Sequence, residues 1–240
     1  MKTIFVTGGA KRIGKAIIKL FAKDGWKVII HYNNSKADAE ALADSINAKK
    51  ADTAFIVQGD LDKADEVNNI ISKVGGFTET IDLLINNAST FYPTPIDDIS
   101  EDHWEKLIGS NLKGPMFLIK GLKQKLKESN GSIINITDTN LSKGVANYSI
   151  YSAAKAGLEA ITKGLARELA PEIKVNAIAP GAMLEPPDVT WTEEQKNKVI
   201  DSIPLKRMGS EKDIAEAVKF LANSDYITGQ IIKVDGGRSL

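Results

Sequence analysis

A tyrosine and a lysine stand four residues apart in Tyr151-Ser152-Ala153-Ala154-Lys155, inside a stretch with helical periodicity. Residues at positions i and i+4 lie on the same face of a helix, so the phenol and the ammonium group can interact. A nearby ammonium group stabilises tyrosinate, and we therefore expect the pKa of Tyr151 to fall below its usual value of about 10. Such a pair could donate a proton to a substrate atom that receives a hydride.

A glycine-rich stretch, Thr7-Gly8-Gly9-Ala10-Lys11-Arg12-Ile13-Gly14, follows the first strand-like run and leads into a helical pattern. Backbone N–H groups and the positive end of a helix dipole would meet there, as they do where proteins bind a pyrophosphate. The charge of Arg12 opposes that dipole, which indicates an anionic partner, although a surface arginine is the alternative. The residues expected to contact a dinucleotide here are Gly8, Lys11, Arg12, Ile13 and Gly14.

The ends of the second and third strand-like runs would carry the adenosine half of the dinucleotide. Proteins that bind NAD commonly have an acidic residue after the second strand, but this chain has Asn33-Asn34-Ser35 there. An acid would repel a 2′-phosphate, whereas amides, a hydroxyl group and nearby basic residues can bind one, so the sequence predicts NADPH as the cofactor. Ser35 could also be the N-cap of the next helix, and Asp60 could bind the adenine amino group or cap a helix. The residues expected around the adenosine are His31, Tyr32, Asn33, Asn34, Ser35, Asp60 and Leu61.

Strand-like and helical patterns alternate along the whole chain and must position these groups. Short runs rich in Val and Ile predict buried strands at 2–7, 27–32, 53–59, 81–86, 132–137, 173–178 and 231–234. A 3.6-residue periodicity predicts helices at roughly 12–24, 36–49, 62–74, 101–128, 150–170 and 211–223. This strict alternation predicts an α/β doubly wound Rossmann fold, in which a seven-stranded parallel sheet has helices on both faces, as one catalytic domain over residues 1–240.

One irregular region, about 181–203, interrupts the alternation with prolines and a glycine after the sixth strand. Ligands of doubly wound sheets bind beyond the carboxyl ends of the strands, so this insertion is expected to be a substrate lid, with a plain surface loop as the alternative. Trp191 could lie over the site, or it could anchor a helix that begins at the capping-box pattern Thr192-Glu193-Glu194-Gln195.

The composition excludes several classes of function. Lysine plus arginine and aspartate plus glutamate both number 31, so no overall basic field exists to attract nucleic acid or a membrane surface. There is no cysteine, which excludes disulfides and thiolate catalysis. No apolar run approaches the ~18 residues that span a bilayer, and a strand-like run directly after Met1 leaves no room for a signal peptide, so we expect a soluble, cytoplasmic protein. The acidic stretch 97–102 beside His103 has the pattern of a helix N-cap at Ser100, and we expect no bound metal.

Five motifs in order resemble the short-chain dehydrogenase/reductase family over essentially the full length of the chain. They are TGGAKRIG, Asn86-Asn87-Ala88, Asn111 within SNLKG, Tyr151 with Lys155, and Pro180-Gly181. The resemblance implies that Lys155 also binds the nicotinamide ribose and that Asn111 holds a water linking Lys155 to a proton relay. It further implies cofactor contacts from Asn87, Ala88, Ser89, Thr137, Tyr151, Lys155, Pro180, Gly181 and Met183.

Two departures from the usual family pattern narrow this interpretation. Asp138 stands where the family usually has serine, thirteen residues before the tyrosine, and Arg12 stands where it usually has glycine. Together with the stretch 86–95, they resemble the pteridine reductase branch. That resemblance implies hydride transfer from NADPH to the pterin ring of a dihydropterin or dihydrofolate. It also implies proton delivery by Asp138 with Tyr151, and substrate contacts from Arg12, Ser89, Phe91, Asp138, Tyr151, Leu184 and Trp191.

Elementary chemistry agrees with this assignment of Asp138. A serine hydroxyl can orient a carbonyl oxygen, whereas a carboxylic acid can also hold a proton and deliver it to a ring nitrogen. The structural alternative is that Asp138 caps a helix or turn, a role that Thr137 or Thr139 could take instead. For Phe91 we expect a stacking role, because a flat bicyclic ring gains roughly 0.5–1.5 kcal/mol on an aromatic side chain.

Two other functions remain open from the sequence. A general carbonyl or 3-oxoacyl reductase would share the fold, but it would favour serine at position 138 and glycine at position 12. A catalytically silent dinucleotide-sensing protein is also conceivable, because fold alone does not establish activity. The family resembled usually forms tetramers through helices corresponding to 101–128 and 150–170, so we expect a homotetramer, in which Arg238 could reach a neighbouring pocket.

Overall fold

The computed structural model describes residues 1–183 and 191–240, which include seven strands and eight α-helices. The strands are β1 (Thr3–Val6), β2 (Lys27–Tyr32), β3 (Ala54–Gln58), β4 (Leu83–Asn86), β5 (Ser132–Ile136), β6 (Lys174–Pro180) and β7 (Ile231–Val234). The helices are α1 (Arg12–Lys23), α2 (Lys36–Asn47), α3 (Ala64–Phe77), α4 (Glu101–Ile108), α5 (Gly114–Glu128), α6 (Ser149–Glu168), α7 (Glu193–Asp201) and α8 (Glu211–Ala222).

All strand pairs are parallel, and the sheet has the order β3-β2-β1-β4-β5-β6-β7. The chain first winds outward from β1 to β3 and then returns to β4 on the other side of β1. This reversal confirms the predicted doubly wound fold. It also opens a crevice at the carboxyl ends of β1 and β4, the place where such sheets bind their ligands.

Helices cover both faces of the sheet, which explains why its strands are nearly continuous apolar runs. Side chains of α1, α2 and α8 share one buried cluster with the strands, and side chains of α3, α5 and α6 share the other. Every residue of β1, β4 and β5 is buried. Within the described ranges, no helix is both long and apolar enough to cross a bilayer.

The predicted helix over 101–128 is wrong in one respect, because it is interrupted by a π-helical turn at Gly109–Lys113. The two ends of this turn lie close to the β3–α3 connection. A Cβ atom on Gly114 would lie 2.7 Å from the Leu61 carbonyl oxygen, and one on Gly109 would lie 3.0 Å from Asp62 Oδ1. Glycine permits that approach, and the wider turn places Asn111 inside the protein.

The predicted irregular region, 181–203, also contains regular structure. Thr192 and Gln195 form the capping box that the sequence indicates, with a distance of 3.2 Å from the Gln195 N–H to Thr192 Oγ1, and α7 follows directly. Residues 184–190, which include the predicted substrate contact Leu184, lie outside the described residues.

Candidate active site

A cavity of about 460 Å³ opens at the carboxyl edge of the sheet, where the strand order reverses. It brings together most of the predicted dinucleotide contacts: Gly8, Lys11, Arg12, Ile13, Gly14, His31, Tyr32, Asn33, Asn34, Ser35, Asp60, Leu61, Asn87, Ala88, Ser89 and Met183. These residues are far apart in sequence and meet because the carboxyl ends of parallel strands share one edge. The volume is within the range of small-molecule and cofactor sites.

The turn between β1 and α1 is held tightly against the end of β4. Gly8 has φ +60°, and the Asn87 side chain donates hydrogen bonds to the Thr7 and Gly8 carbonyl oxygens at 2.8 and 3.2 Å. A Cβ atom on Gly14 would overlap the Gly8 carbonyl oxygen. The first turn of α1 can therefore approach this loop only with glycine at position 14, which leaves the helix N-terminus facing the cavity.

Arg12 has φ +47°, in the left-handed region that favours glycine. For a residue with a Cβ atom, this conformation costs about 1–2 kcal/mol. The position therefore has the backbone of a glycine but carries a guanidinium group at the mouth of a cavity. Backbone strain of this kind, held at a ligand site, is often linked to function.

Replacing Arg12 by glycine is expected to raise the free energy of unfolding by up to about 1 kcal/mol, because the strain is relieved. The same change should raise the Kd for NADPH about tenfold, because a charged hydrogen-bond donor is lost. Chemical denaturation and a fluorescence titration with NADPH would measure the two effects. Asp52→Gly is the matched control, since Asp52 also has a positive φ, +55°, but lies in an exposed turn before β3. It should gain stability without losing affinity, and an R12G protein with unchanged affinity would contradict the assignment.

The adenosine end of the cavity lacks an acid at the position that usually selects NAD. Asn33, Asn34 and Ser35 line it, and Ser35 occupies the N-cap position of α2 without a side-chain capping bond. The nearest acid along α2, Asp38, is paired with Lys11 at 3.1 Å. The Asp60 carboxylate accepts a hydrogen bond of 3.1 Å from the Asp62 N–H and so closes the turn after β3. It does not occupy the N-cap position of α3, because that position belongs to Lys63. Amides and a hydroxyl group therefore line the cavity at the end of β2.

His31 is a neutral connector between the glycine turn and the end of β3. Its Nδ1 accepts from the Gly8 N–H at 3.1 Å, which assigns the proton to Nε2, and Nε2 then donates to the Gly59 carbonyl oxygen at 2.9 Å. Burial lowers the pKa of His31 to about 4, against weaker raising effects of the Gly59 hydrogen bond and the Asp60 charge. Both ring nitrogens of His31 are hydrogen-bonded to the backbone, so the side chain serves as part of the cavity wall.

His31 should make the protein sensitive to mild acid. The unfolded chain takes up this proton near pH 6.5, whereas the folded protein does so near pH 4, so stability falls as the pH drops from 6.5 to 4. The full loss is about 3 kcal/mol. Urea denaturation across this window should show a shallower slope for His31→Asn. The control His103→Asn, which removes the second histidine of the chain, should keep the wild-type slope, and an H31N protein with that same slope would refute the assignment.

Asp138 and Tyr151 are joined by a direct hydrogen bond. The Tyr151 hydroxyl donates to Asp138 Oδ2 at 3.1 Å, from the first turn of α6 to the loop after β5. The other oxygen, Oδ1, accepts from the Asn140 backbone and side chain at 2.7 and 3.0 Å. Asp138 is thus also the cap of a 3₁₀ turn, Thr139–Ser142. Thr137 and Thr139 do not take that role, because their hydroxyl groups bond to Ile178 and Pro180 carbonyl oxygens.

Lys155 lies directly behind this pair and is 2% exposed. Its ammonium group donates to the Ile136 carbonyl oxygen at 2.9 Å and lies 5.8 Å from the centre of the Tyr151 ring. Burial lowers the pKa of Lys155 to about 8, while the Asp138 charge acts in the opposite direction. Lys155 is therefore charged at neutral pH but close to losing its proton.

The expectation that Lys155 lowers the pKa of Tyr151 is wrong for this arrangement. Burial raises the pKa of Tyr151 well above its usual value, and the Asp138 carboxylate raises it further by charge and by accepting the hydroxyl proton. The Ser89 hydroxyl has a smaller lowering effect. Tyr151 consequently holds its proton throughout the physiological range, which suits a proton donor.

Asn111 is fully buried in the π-helical turn, and its side chain is occupied by protein groups. Its amide donates to the Thr90 and Leu107 carbonyl oxygens at 2.9 and 3.0 Å, and its Oδ1 accepts from the Ser89 hydroxyl at 2.7 Å. These bonds tie the loop after β4 to the π turn. A role of Asn111 in a water-linked relay, which the family resemblance implies, stays a prediction.

Phe91 lies beside Tyr151 and is 53% exposed. Its ring stacks on Tyr148 with a centroid distance of 4.6 Å and an angle of 14° between the planes. It also meets the Tyr151 ring edge-on at 4.8 Å. A half-exposed aromatic ring next to a proton donor is a suitable support for a flat substrate.

Comparison with known proteins identifies the family. A family model described as enoyl-(acyl carrier protein) reductase matches residues 8–239. This chain belongs to the short-chain dehydrogenase/reductase family. It is therefore an oxidoreductase by family, and its sheet, glycine turn and Tyr151/Lys155 pair are those of a short-chain dehydrogenase/reductase.

Several relatives match this short-chain dehydrogenase/reductase over nearly their whole length. A 3-oxoacyl-[acyl-carrier-protein] reductase of Staphylococcus epidermidis is 38% identical over 240 residues, covering 98% of both chains. Pteridine reductase 1 of Leishmania tarentolae is 34% identical over 281 aligned positions, covering 98% of this chain and 95% of its own. Overall similarity thus favours the 3-oxoacyl reductase alternative over the pteridine reductase branch.

Some predicted contacts of the reductase lie outside the cavity. Thr137 is 4% exposed and bonds to Glu159, and Pro180 and Gly181 end β6 beside the C-terminal segment. Trp191 lines a separate groove.

Sequence reasoning missed six other residues, and these do line the cavity: Ala10, Gly59, Asp62, Thr90, Ser110 and Glu211. All but Glu211 adjoin predicted positions. In Asp62, burial and the neighbouring Asp60 raise the carboxyl pKa to about 6.

Proposed function

We propose that this protein is an NADPH-dependent reductase that converts the pterin ring of a dihydropterin or dihydrofolate to its tetrahydro form. The observation that carries the proposal is the Asp138 carboxyl group, 3.1 Å from the Tyr151 hydroxyl. Reduction of a ring C=N bond places a hydride on carbon and a proton on nitrogen. A carboxyl group coupled to a tyrosine can supply that proton, whereas serine at the same position can only orient an oxygen.

The cavity fits a dinucleotide phosphate in shape and charge. The crowded glycine turn, the N-terminus of α1 and Arg12 would face the pyrophosphate, and Asn33 to Ser35 with Lys11 would face a 2′-phosphate. Lys155 would bind the nicotinamide ribose. When bound, NADPH supplies the hydride.

The protein's own groups handle the proton. Tyr151 keeps its proton until the ring nitrogen gains basicity, and it then donates that proton to the nitrogen. Asp138, in direct contact with the Tyr151 oxygen, then relays a proton from solvent to replace the one that Tyr151 donates, so one proton is consumed for each hydride. Lys155 adds a positive charge 5.8 Å from the centre of the Tyr151 ring, and Asn140 fixes the carboxyl group in place.

The substrate would lie on Phe91, with its polar edge toward Ser89 and Arg12. Phe91 is held by Tyr148 on one side and by Tyr151 at its edge, so it offers an ordered platform beside the proton donor. The Ser89 hydroxyl already bonds to Asn111, which fixes its position.

An assay of NADPH oxidation with a panel of dihydropterins, dihydrofolate, ketones and 3-oxoacyl thioesters would test the proposal. We expect turnover with the pterins, and a kcat/KM for NADPH well above that for NADH. Turnover restricted to the carbonyl compounds would refute the pterin assignment. No oxidation with any of them would favour a dinucleotide-sensing role.

A second candidate is a 3-oxoacyl reductase, and the observation that favours it is the higher overall identity to such an enzyme, 38% against 34%. Its reaction would use the same NADPH cavity, with Tyr151 as proton donor to a ketone oxygen. The candidate leaves Asp138 and the positive φ of Arg12 without a function.

We also propose that the protein forms a homotetramer through the surface of α4, α5 and α6. Large apolar side chains are exposed on the first two of these helices, with Trp104 at 50%, Phe117 at 48% and Met116 at 37% exposure. Such a patch is typical of an interaction surface. Light scattering in solution would test it, and a monomer at micromolar concentration would contradict it.

A further inference from the structure

A second concave surface lies at the carboxyl edge of the sheet, between α7 and the C-terminal segment. This groove has a volume of about 390 Å³ and is lined by Trp191, Gln195, Lys198, Val199, Ser202 and Arg238. It contains none of the residues that line the dinucleotide cavity.

The groove stands next to the loop that carries the catalytic carboxyl group. Lys143, directly after the 3₁₀ turn that Asp138 caps, donates a hydrogen bond of 2.8 Å to the Arg238 carbonyl oxygen. The Gly181 N–H bonds to the Val234 carbonyl oxygen at 3.0 Å, which ties the end of β6 to the same C-terminal segment. The 3₁₀ turn that Asp138 caps is thus tied to the C-terminal segment that forms one wall of the groove.

The described residues that line the groove include two cations, Lys198 and Arg238, and no acid. Neither Lys198 nor Arg238 has an ion-pair partner among the described residues. Two acids near these cations are engaged elsewhere, since Asp201 pairs with Lys206, and Asp235 accepts from the backbone of the C-terminal turn. A partly buried indole beside two such cations is complementary to an aromatic ring that carries carboxylates.

We propose that this groove binds the anionic aromatic tail of a folate-type substrate, with the ring against Trp191 and the carboxylates on Lys198 and Arg238. The inference rests on the proposed pterin reduction and extends it, because it makes dihydrofolate the preferred substrate over a dihydropterin that has no tail. The size of the groove suits a small-molecule tail, and a planar amide-linked ring fits its indole wall.

The kinetic test compares dihydrofolate with an unconjugated dihydropterin in K198Q, R238Q and the double variant. Each single substitution should raise KM for dihydrofolate about threefold and the double about tenfold, with kcat unchanged. KM for the unconjugated dihydropterin should not change. Lys49→Gln, which removes an exposed lysine after α2, is the matched control and should affect neither substrate.

A binding test keeps the groove separable from the catalytic proposal. The probe is p-aminobenzoylglutamate, which is the tail alone, and we expect it to quench the fluorescence of Trp191, assigned with W191F because the chain has three tryptophans. Quenching that weakens in the double variant would support the groove even if no pterin is reduced, and only the proposed function would then fail. Absence of binding, or equal KM effects on both pterins, would overturn the groove assignment. Losses confined to a 3-oxoacyl thioester on acyl carrier protein would also overturn it, by making the surface a docking site for that protein.

Discussion

Replacing Asp138 by asparagine is expected to lower kcat for dihydropterin reduction by about 10²- to 10⁴-fold, the usual contribution of a positioned acid or base. Asparagine has nearly the same shape, and its single carbonyl oxygen can still accept from the Asn140 N–H while its amide NH2 group faces the Tyr151 oxygen, so the loop should stay in place. What is lost is the ability to return a proton to Tyr151. Steady-state NADPH oxidation with a saturating dihydropterin would measure the effect.

Two further variants show whether the fall in kcat comes from the missing proton transfer or from a displaced loop. Asp138→Ser restores the usual family residue and should also lose pterin reduction, while a ketone becomes a better substrate. Asn140→Ala removes one donor to Asp138 Oδ1 but keeps the carboxyl group, and it should reduce kcat far less. An Asp138→Asn enzyme with the kcat of the wild type would contradict the proton-delivery role.

Replacing Lys155 by methionine is expected to lower kcat by about 10³-fold or more, because the site loses its buried cation and the ligand proposed for the nicotinamide ribose. The same substitution should make the protein more stable at pH 7. Burial of the charged lysine costs about 3 kcal/mol, corresponding to a pKa lowered from 10.5 to about 8. Loss of the hydrogen bond to Ile136 offsets about 1 kcal/mol of this gain.

The pH dependence of stability separates this effect from a general improvement in packing. Between pH 8 and 10.5 the folded protein has already released the Lys155 proton while the unfolded chain still holds it, so wild-type stability rises with pH. The Lys155→Met protein should lack that rise. Lys163→Met, on the exposed side of the same helix two turns later, is the matched control and should keep it. A K155M protein less stable than the wild type at pH 7 would contradict the assignment.

The fold could be predicted because each strand is a short apolar run and each helix has its own periodicity. All seven strands lie within about two residues of their predicted bounds, and β6 runs on to Pro180. Local patterns also indicated the N-cap at Ser100 and the capping box at Thr192, which are both present. Strands, helices and caps depend on residues that are close together in sequence, so they can be predicted from local sequence patterns.

Features that depend on distant contacts were missed or predicted with the wrong sign. The π turn around Asn111 depends on contact with the β3–α3 connection, and this contact cannot be predicted from helical periodicity. The i, i+4 spacing places Lys155 near Tyr151 but does not reveal that its ammonium group points to Ile136 or that the phenol is buried. Burial and Asp138 therefore determine the pKa of Tyr151, and its direction of shift was predicted incorrectly.

The residue types of the site indicated its chemistry more clearly than its substrate. Tyr151, Lys155 and the glycine turn indicate hydride and proton transfer with a dinucleotide, and that chemistry is common to the reduction of a ketone and of a pterin. Under the proposed function, Asp138, Arg12 and Phe91 would make the choice between a ketone and a pterin. Overall identity weighs all positions equally, and these three make almost no contribution to it.

A competition experiment tests the central claim most directly. The enzyme would be given a dihydropterin and a 3-oxoacyl thioester at equal concentration, with NADPH that carries deuterium at the transferable position. Mass spectrometry of both products would then report the ratio of the two kcat/KM values in a single reaction. The account predicts deuterium predominantly in the tetrahydropterin. Deuterium predominantly in the 3-hydroxyacyl product would contradict it and establish the carbonyl reductase instead.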